Sequence, residues 1–427
     1  MSDRRFSVGR RSQGNQQTIG FMELNNDTLR FIREHSKDDV RTLALQAPKY
    51  PGVDMPAALT QIAGRQAAAE KIPSWHKVEE LVYPRHLSLE QCSSEATARY
   101  KASLIPALPA GTLTDLTGGF GIDCAFLSGK FQQATYVERQ EELCEIAAHN
   151  FPQLGLTHIR IENTDSVRHL QEMSPVDWIF IDPARRDGHG GKTVAIADCE
   201  PDVSALETLL LAKAQHVMVK LSPMLDLSLA LQELKHVQEA HIVSVNNECK
   251  ELLLILGHAD LAPEEIPIHC VNLQAKGGRC MPDGQPAFCF TRAQEQASAS
   301  IYADIPGKYL YEPNASLLKA GAFRSIARIY RVEKLHPNSH LYTSELPVEG
   351  FPGRCFQIAG LCTLNKKEMK ATLGNTKKAN ITVRNFPASV AELRKRLKLA
   401  EGGDVYLFAT TLGNEQKVII KCNKVSF

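Results

Sequence analysis

Four short stretches carry residues whose types and spacing suit chemistry. The first is Thr114-Asp115-Leu116-Thr117-Gly118-Gly119-Phe120-Gly121-Ile122-Asp123. An acid ends an apolar run, a glycine-dense turn follows, and a helix opens. Glycines let the backbone approach a ligand closely and take positive φ, and a helix start offers unpaired N–H groups. The dinucleotide pattern G-x-G-x-x-G fails here, because Cys124 stands where the third glycine belongs. A phosphate-cradling G-x-x-x-x-G-K-[ST] fails as well: Gly191-Lys192-Thr193 imitates its end, but Arg186 replaces the first glycine. The second stretch is Tyr136-Val137-Glu138, an acid at a strand tip. Its carboxylate has enough lone pairs to accept both hydroxyls of a ribose. The third is Asn163-Thr164-Asp165-Ser166, where Asp165 could accept an adenine amine, although such clusters also make ordinary turns. The fourth is Val176–Asp187, an apolar run delivering Asp182, Pro183, Arg185 and Arg186 to one sheet edge. Asp182 could orient, or take a proton from, an amino group being alkylated. Pro183 would stiffen the turn, and Arg185 suits phosphate through forked hydrogen bonds.

These positions need a scaffold that brings strand ends together. From residue 111 the chain alternates strands (112–116, 134–137, 157–161, 176–181, 216–220) with helical stretches, which calls for an α/β fold with a mostly parallel sheet. The last two strands, 241–245 and 251–256, are joined by the short turn Asn246-Asn247-Glu248. No crossover helix fits there, so the final strand must run antiparallel. Upstream, a polar leader over 1–21 precedes an N-terminal helical domain over 22–105. Its last helix is expected at 89–104, with Ser88 and Gln91 at capping-box spacing. Downstream come Pro- and Gly-rich breaks, then strands over 380–383, 405–410 and 417–421. A helix opened by the capping box Ser389/Glu392 lies among them.

Together the four stretches resemble the class I S-adenosylmethionine-dependent methyltransferases over 106–261. Asp115, Thr117, Gly118, Gly119 and Gly121 are similar to that family's first motif, Glu138 to its ribose-binding acid, and Asp165 to the residue beside the adenine. Asp182-Pro183 resembles the substrate-facing motif of nucleic-acid amino methyltransferases, and the reversed last strand fits the family's seventh. The resemblance implies a Rossmann-like seven-stranded sheet with S-adenosyl-L-methionine as cofactor. Further stretches, among them Lys71-Ile72-Pro73-Ser74-Trp75, the run from Glu90 to Tyr100 and Asp198-Cys199-Glu200-Pro201-Asp202, are similar to a bacterial family of such enzymes. There a small ferredoxin-like α+β element, here over 262–320, and a THUMP-like domain, here over 321–427, follow the core. THUMP domains accompany RNA-modifying enzymes, so the resemblance implies an RNA partner. One departure is that Ala184 and Arg185 follow Pro183 where the amino methyltransferases carry a second proline and an aromatic ring. The ring that would stack on a flipped base is therefore missing from this loop. Cys199 is the nearest thiol for carbon-5 chemistry, and a small buried thiol is the simpler reading.

Charge supports the RNA expectation. The whole chain carries +1. From Leu361 to Phe427, however, 13 Lys/Arg oppose 5 Asp/Glu, giving 13 − 5 = +8. Lys377, Lys378, Arg384, Arg394, Lys395 and Arg396 are the candidate phosphate contacts. No run of 18 apolar residues exists to span a membrane. Eleven scattered cysteines without C-x-x-C pairs fit reduced thiols and a cytoplasmic chain. The one H-x-x-x-H, His336 to His340, encloses Pro337 and Asn338 and has no cysteine pair beside it, so no metal site is expected. The expectation is a methyltransferase acting on a base of structured RNA. Its rivals are a small-molecule or protein methyltransferase, and an RNA-binding protein with a vestigial pocket.

Overall fold

The computed structural model describes residues 24–185, 195–276, 279–282 and 288–425. The leader over 1–21, Arg186 and Gly191-Lys192-Thr193 lie outside them. The chain forms two compact units, Met1–Cys92 and Ser93–Phe427. In the first, helices Asn26–Glu34, Val40–Leu45 and Met55–Lys71 begin at Asn25, Asp39 and Asp54. Each of these side chains accepts a backbone N–H three residues on, satisfying a donor the helix start leaves open. Phe31, Ile32, Leu43, Met55, Ala58 and Ile62 make its core.

The second unit opens with helix Glu95–Leu104, capped by the Ser94 hydroxyl. The helix expected over 89–104 is thus two, His86–Gln91 and Glu95–Leu104. Ser94 supplies the cap in place of Ser88. The second of these helices belongs with the sheet: Ala102 packs into a core with Leu113 and Trp178, and Ala96 into one with Val243 and Leu253.

The main sheet contains β1 (Leu108–Asp115), β2 (Phe131–Glu138), β3 (Ile159–Asn163), β4 (Val176–Ile181), β5 (Ala214–Leu221), β6 (Val237–Val245), β7 (Glu248–Leu256) and β8 (Ile268–Lys276). Their spatial order is β3-β2-β1-β4-β5-β7-β6-β8. Neighbours from β3 to β5 run parallel, while β7 is antiparallel to both β5 and β6. Asn246 and Asn247 make the β6–β7 hairpin at φ 50° and 65°, the left-handed pair a two-residue turn requires and asparagine tolerates. The sheet centre reads as continuous apolar runs because both faces are covered: Val217–Val219 and Leu252–Leu256 are all buried.

β8 runs parallel to β6, and Arg279–Pro282 and Phe288–Phe290 pair antiparallel with β8. The stretch read from sequence as one element over 262–320 therefore divides. Its early strands extend the first sheet, and Tyr309–Pro313 opens a second. That second sheet is ordered Glu333–Lys334, Tyr342–Ser344, Tyr309–Pro313, Gly353–Cys362, Lys417–Val425, Val405–Thr411 and Asn380–Arg384. Helix Val390–Leu397 carries the expected Ser389/Glu392 capping box and buries Leu393 against Leu407 and Ile419. Among the described residues, no helix is long and apolar enough to cross a membrane.

Candidate active site

The strand ends of β1, β2 and β4 converge at the glycine turn, where open α/β sheets hold ligands. Asp115 ends β1 fully buried, and its Oδ1 accepts the Thr117 N–H at 2.9 Å. Its Oδ2 is buried with no partner. Burial pushes this carboxyl well above its ordinary value against the pull of the Thr117 N–H, and the charges of Asp123, Asp182 and Glu138 push the same way. Thr117 then latches the next strand: its Oγ1 accepts the Asp182 N–H at 2.7 Å.

Two of the three glycines are set by packing. A Cβ on Gly118 would stand 2.2 Å from the Tyr136 ring, and one on Gly121 2.9 Å from Phe151. Gly119 differs. Like Gly121 at φ +86° it takes positive φ, at +54°, but a Cβ there would meet nothing nearer than the Thr117 carbonyl at 3.9 Å. Its side of the turn is open, and its N–H donates to Glu138 Oε2 at 2.9 Å. Glu138 Oε1 accepts the Gln140 N–H at 2.8 Å. Both oxygens are thereby fixed by backbone donors, each keeping a further lone pair for a hydroxyl. Asp165 caps helix Ser166–Glu172 through Oδ1, accepting from Val167 and Arg168, and is exposed.

Asp182, at the end of β4, meets a partner that sequence reasoning missed. Lys220 on β5 donates to its Oδ2. Behind this pair lies a buried charge network. Lys220 Nζ is 3.9 Å from Asp123 Oδ2, and Lys101 Nζ is 3.0 Å from Asp123 Oδ1 and 2.6 Å from Glu251 Oε2. The Ser93 hydroxyl lies 2.7 Å from Asp123 Oδ2, 3.2 Å from Glu251 Oε1 and 2.9 Å from Lys101 Nζ. Burial works against the charge on Lys220, but Asp182, Asp123 and Glu251 outweigh it and raise its pKa above the usual lysine value. For Asp123 burial is likewise opposed, by Lys101, Lys220 and Ser93, and the carboxyl sits below its ordinary value. Asp182 is shifted upward by burial, with Lys220 pulling the other way. Lys220 had a legible signal, a cation at the end of an apolar strand. Lys101, Ser93 and Glu251 had none.

Pro183 is buried, and the backbone at Arg185 pairs with Cys199 in a two-residue ladder. The Arg185 side chain lies outside the described residues. Cys199 is buried at 3% exposure, as the simpler reading expected. In the C-terminal region the six candidate cations divide by environment. Lys377, Lys378, Lys395 and Arg396 are exposed. Arg384 is part-buried and donates to Glu312 Oε1 at 3.2 Å; Arg394 donates to the Ala379 carbonyl at 3.1 Å and lies 3.5 Å from Glu401. Arg396, though exposed, also donates to the Leu364 carbonyl at 3.2 Å.

A nucleoside carrying a sulfonium fits these residues. Glu138 keeps lone pairs for hydroxyl donors, the space beside Gly119 is open, and the buried Asp115 Oδ2 lacks a donor. The acidic Glu138 beside the open Gly119 favours a cation over a diphosphate.

The strand order β3-β2-β1-β4-β5-β7-β6 with β7 reversed defines a class I methyltransferase fold. The chain is 37% identical to the crystal structure of a "putative methyltransferase" from Porphyromonas gingivalis W83, with TM-score 0.82 over 93% of this chain and 98% of that one. Residues 309–352 match a ferredoxin-like domain model and 353–424 a THUMP-like one. The chain belongs to the family of the Porphyromonas protein, class I methyltransferases with a THUMP-like C-terminal domain. Slighter likenesses include TrmN from Thermus thermophilus (14% identity, 40% of this chain, 51% of that, TM-score 0.31). Another is TrmK from M. capricolum bound to S-adenosyl-homocysteine (13%, 38% and 68%, TM-score 0.30). Neither likeness is large enough to bear on what this chain does. No curated protein matches the sequence.

Proposed function

We propose that the protein is an S-adenosylmethionine-dependent methyltransferase that modifies a base of structured RNA. The observation carrying this reading is Glu138, held at both oxygens by backbone N–H groups beside the open Gly119 and the orphan Asp115 Oδ2. The bound cofactor would supply an electrophilic methyl group on a sulfonium. Glu138 would bind the ribose, Asp165 would face the adenine, and Asp115, Thr117, Gly118, Gly119 and Gly121 would shape the pocket. Asp182, fixed by Thr117 and Lys220, would accept a hydrogen bond from the nucleophilic amine and align it. Pro183 and Arg185 would line the acceptor side. Positioning in a dry site can supply much of such a transfer without a Lewis acid.

The test is mass spectrometry of nucleosides in RNA from cells with and without the gene, paired with calorimetry. A methylated nucleoside missing from the deletion strain, with S-adenosylhomocysteine binding in preference to NAD, is the expected result. An unchanged profile together with NAD preference would reject the reading.

The exposed lysines would dock the RNA. Replacing Lys377, Lys378 and Lys395 by alanine should weaken RNA binding about equally across sequences. The slope of log K against log salt should fall by about 2–3. Filter binding at several salt concentrations measures this, and an unaltered slope would remove these lysines from the interface.

A further inference from the structure

A second constellation of chemistry-bearing side chains lies away from the candidate active site, on the extension of the main sheet. In the β6–β8 register His241 sits directly beside His269, and in the pairing of β8 with Phe288–Phe290 His269 sits directly beside Cys289. Side chains of register partners share a face, and so do residues two apart on one strand. His241, His269 and Cys289 therefore form a cross-strand row, with Glu239 on the same face.

The donor atoms converge. Glu239 Oε2 lies 3.2 Å from His241 Nε2 and 3.9 Å from His269 Nε2. One ligand atom from each of Glu239, His241 and His269 falls within 4.8 Å of the others. Cys289 Sγ is 3.9 Å from His269 Nε2 but stands outside that three-residue set, so it joins an ion held there only by rotating inward. Around a tetrahedral zinc with bonds of about 2.0–2.3 Å, donor atoms stand roughly 3.3–3.8 Å apart. The two imidazoles stack with centroids 4.6 Å apart and planes within 11°. Closing on an ion takes rotation of the more exposed His269 ring toward it.

The surroundings also suit a metal. His241 Nδ1 is 2.9 Å from the Tyr100 hydroxyl. A ligand binding through Nε2 keeps its proton on Nδ1 and needs such an outer partner to fix the ring. Glu239 is half-exposed and Cys289 exposed, leaving a route in from solvent.

We infer that Glu239, His241, His269 and Cys289 form a zinc-type metal site, which would clamp Phe288–Phe290 and β8 to the methyltransferase sheet. No short histidine–cysteine spacing announces it, because the ligands come from three strands and meet only through register.

The test uses the full chain, loaded with ZnCl2, dialysed against metal-free buffer and analysed for metal content and by chelator competition. About one zinc per chain is expected. His269→Ala should weaken affinity at least tenfold, and Tyr100→Phe, which removes an outer partner, by about 10–100-fold. Cobalt loading should give a thiolate charge-transfer band that Cys289→Ser abolishes. Far-UV circular dichroism of metal-free His269→Ala should match the parent, separating ligand loss from misfolding. A chain that takes up no zinc saturably, or a correctly folded His269→Ala with parental affinity, would overturn the site. Absence of the cobalt band in the parent would remove Cys289 from it.

Discussion

Lys101→Met is expected to destabilise the protein by about 3–5 kcal/mol, the cost typical of removing one partner from a buried ion pair. Lys101 is fully buried, and its ammonium lies between Asp123 and Glu251 with the Ser93 hydroxyl as a third partner. Methionine fills the stem's volume but supplies no charge, leaving two buried acids with Ser93 and Lys220 as their remaining partners. The effect has a pH signature. Asp123 titrates below its unfolded value of 3.8 in the folded chain. The stability this gives is present above that pH and is lost as pH falls through the folded value. The gap between parent and variant should therefore be full near neutrality and narrow in acid. Urea titrations at pH 7 and near pH 3 measure it, and a variant as stable as the parent at pH 7 would show that the network contributes nothing.

The second large effect belongs to chemistry. Asp182→Asn should slow methyl transfer by about 10²–10⁴-fold, while S-adenosylhomocysteine binds as before. The amide keeps the shape of the side chain, and the Asp182 N–H still reaches Thr117 Oγ1. What it loses is a charged acceptor for the nucleophile. Lys220 keeps Asp123 as an acidic neighbour at 3.9 Å, so the substitution should not open the fold. Single-turnover assays on the RNA identified by nucleoside profiling, with calorimetry in parallel, separate the two quantities. Normal turnover would dismiss Asp182, and loss of cofactor binding would move it to the other side of the pocket.

Much of this arrangement is legible in the sequence because it is local. Asp115, Glu138 and Asp182 each end an apolar strand, and a parallel sheet carries strand ends to one rim. The reversed β7 is readable from the Asn246-Asn247 turn, too short for a crossover. Lys101 and Ser93 are invisible for the opposite reason. They sit in a polar, alanine-bearing stretch that reads as one continuous helix, and their partners are 22 to 158 residues away. The row of His241, His269 and Cys289 is equally hidden, since it depends on which strand pairs with which. Net charge exposed the basic C-terminal surface but not its division of labour. Partial burial and contacts with Glu312, Glu401 and the Ala379 carbonyl distinguish Arg384 and Arg394 from the exposed lysines.

The second sheet joins what the domain matches divide. Tyr309–Pro313 ends the part contributed by 309–352, and Gly353–Cys362 begins the part contributed by 353–424, yet the two are hydrogen-bonded neighbours. Severing the polypeptide at that junction would bare two sticky edges, each a template for aggregation. The two matched regions therefore share one continuous sheet. A fragment study of RNA capture should likewise keep both, or it will measure precipitation in place of recognition.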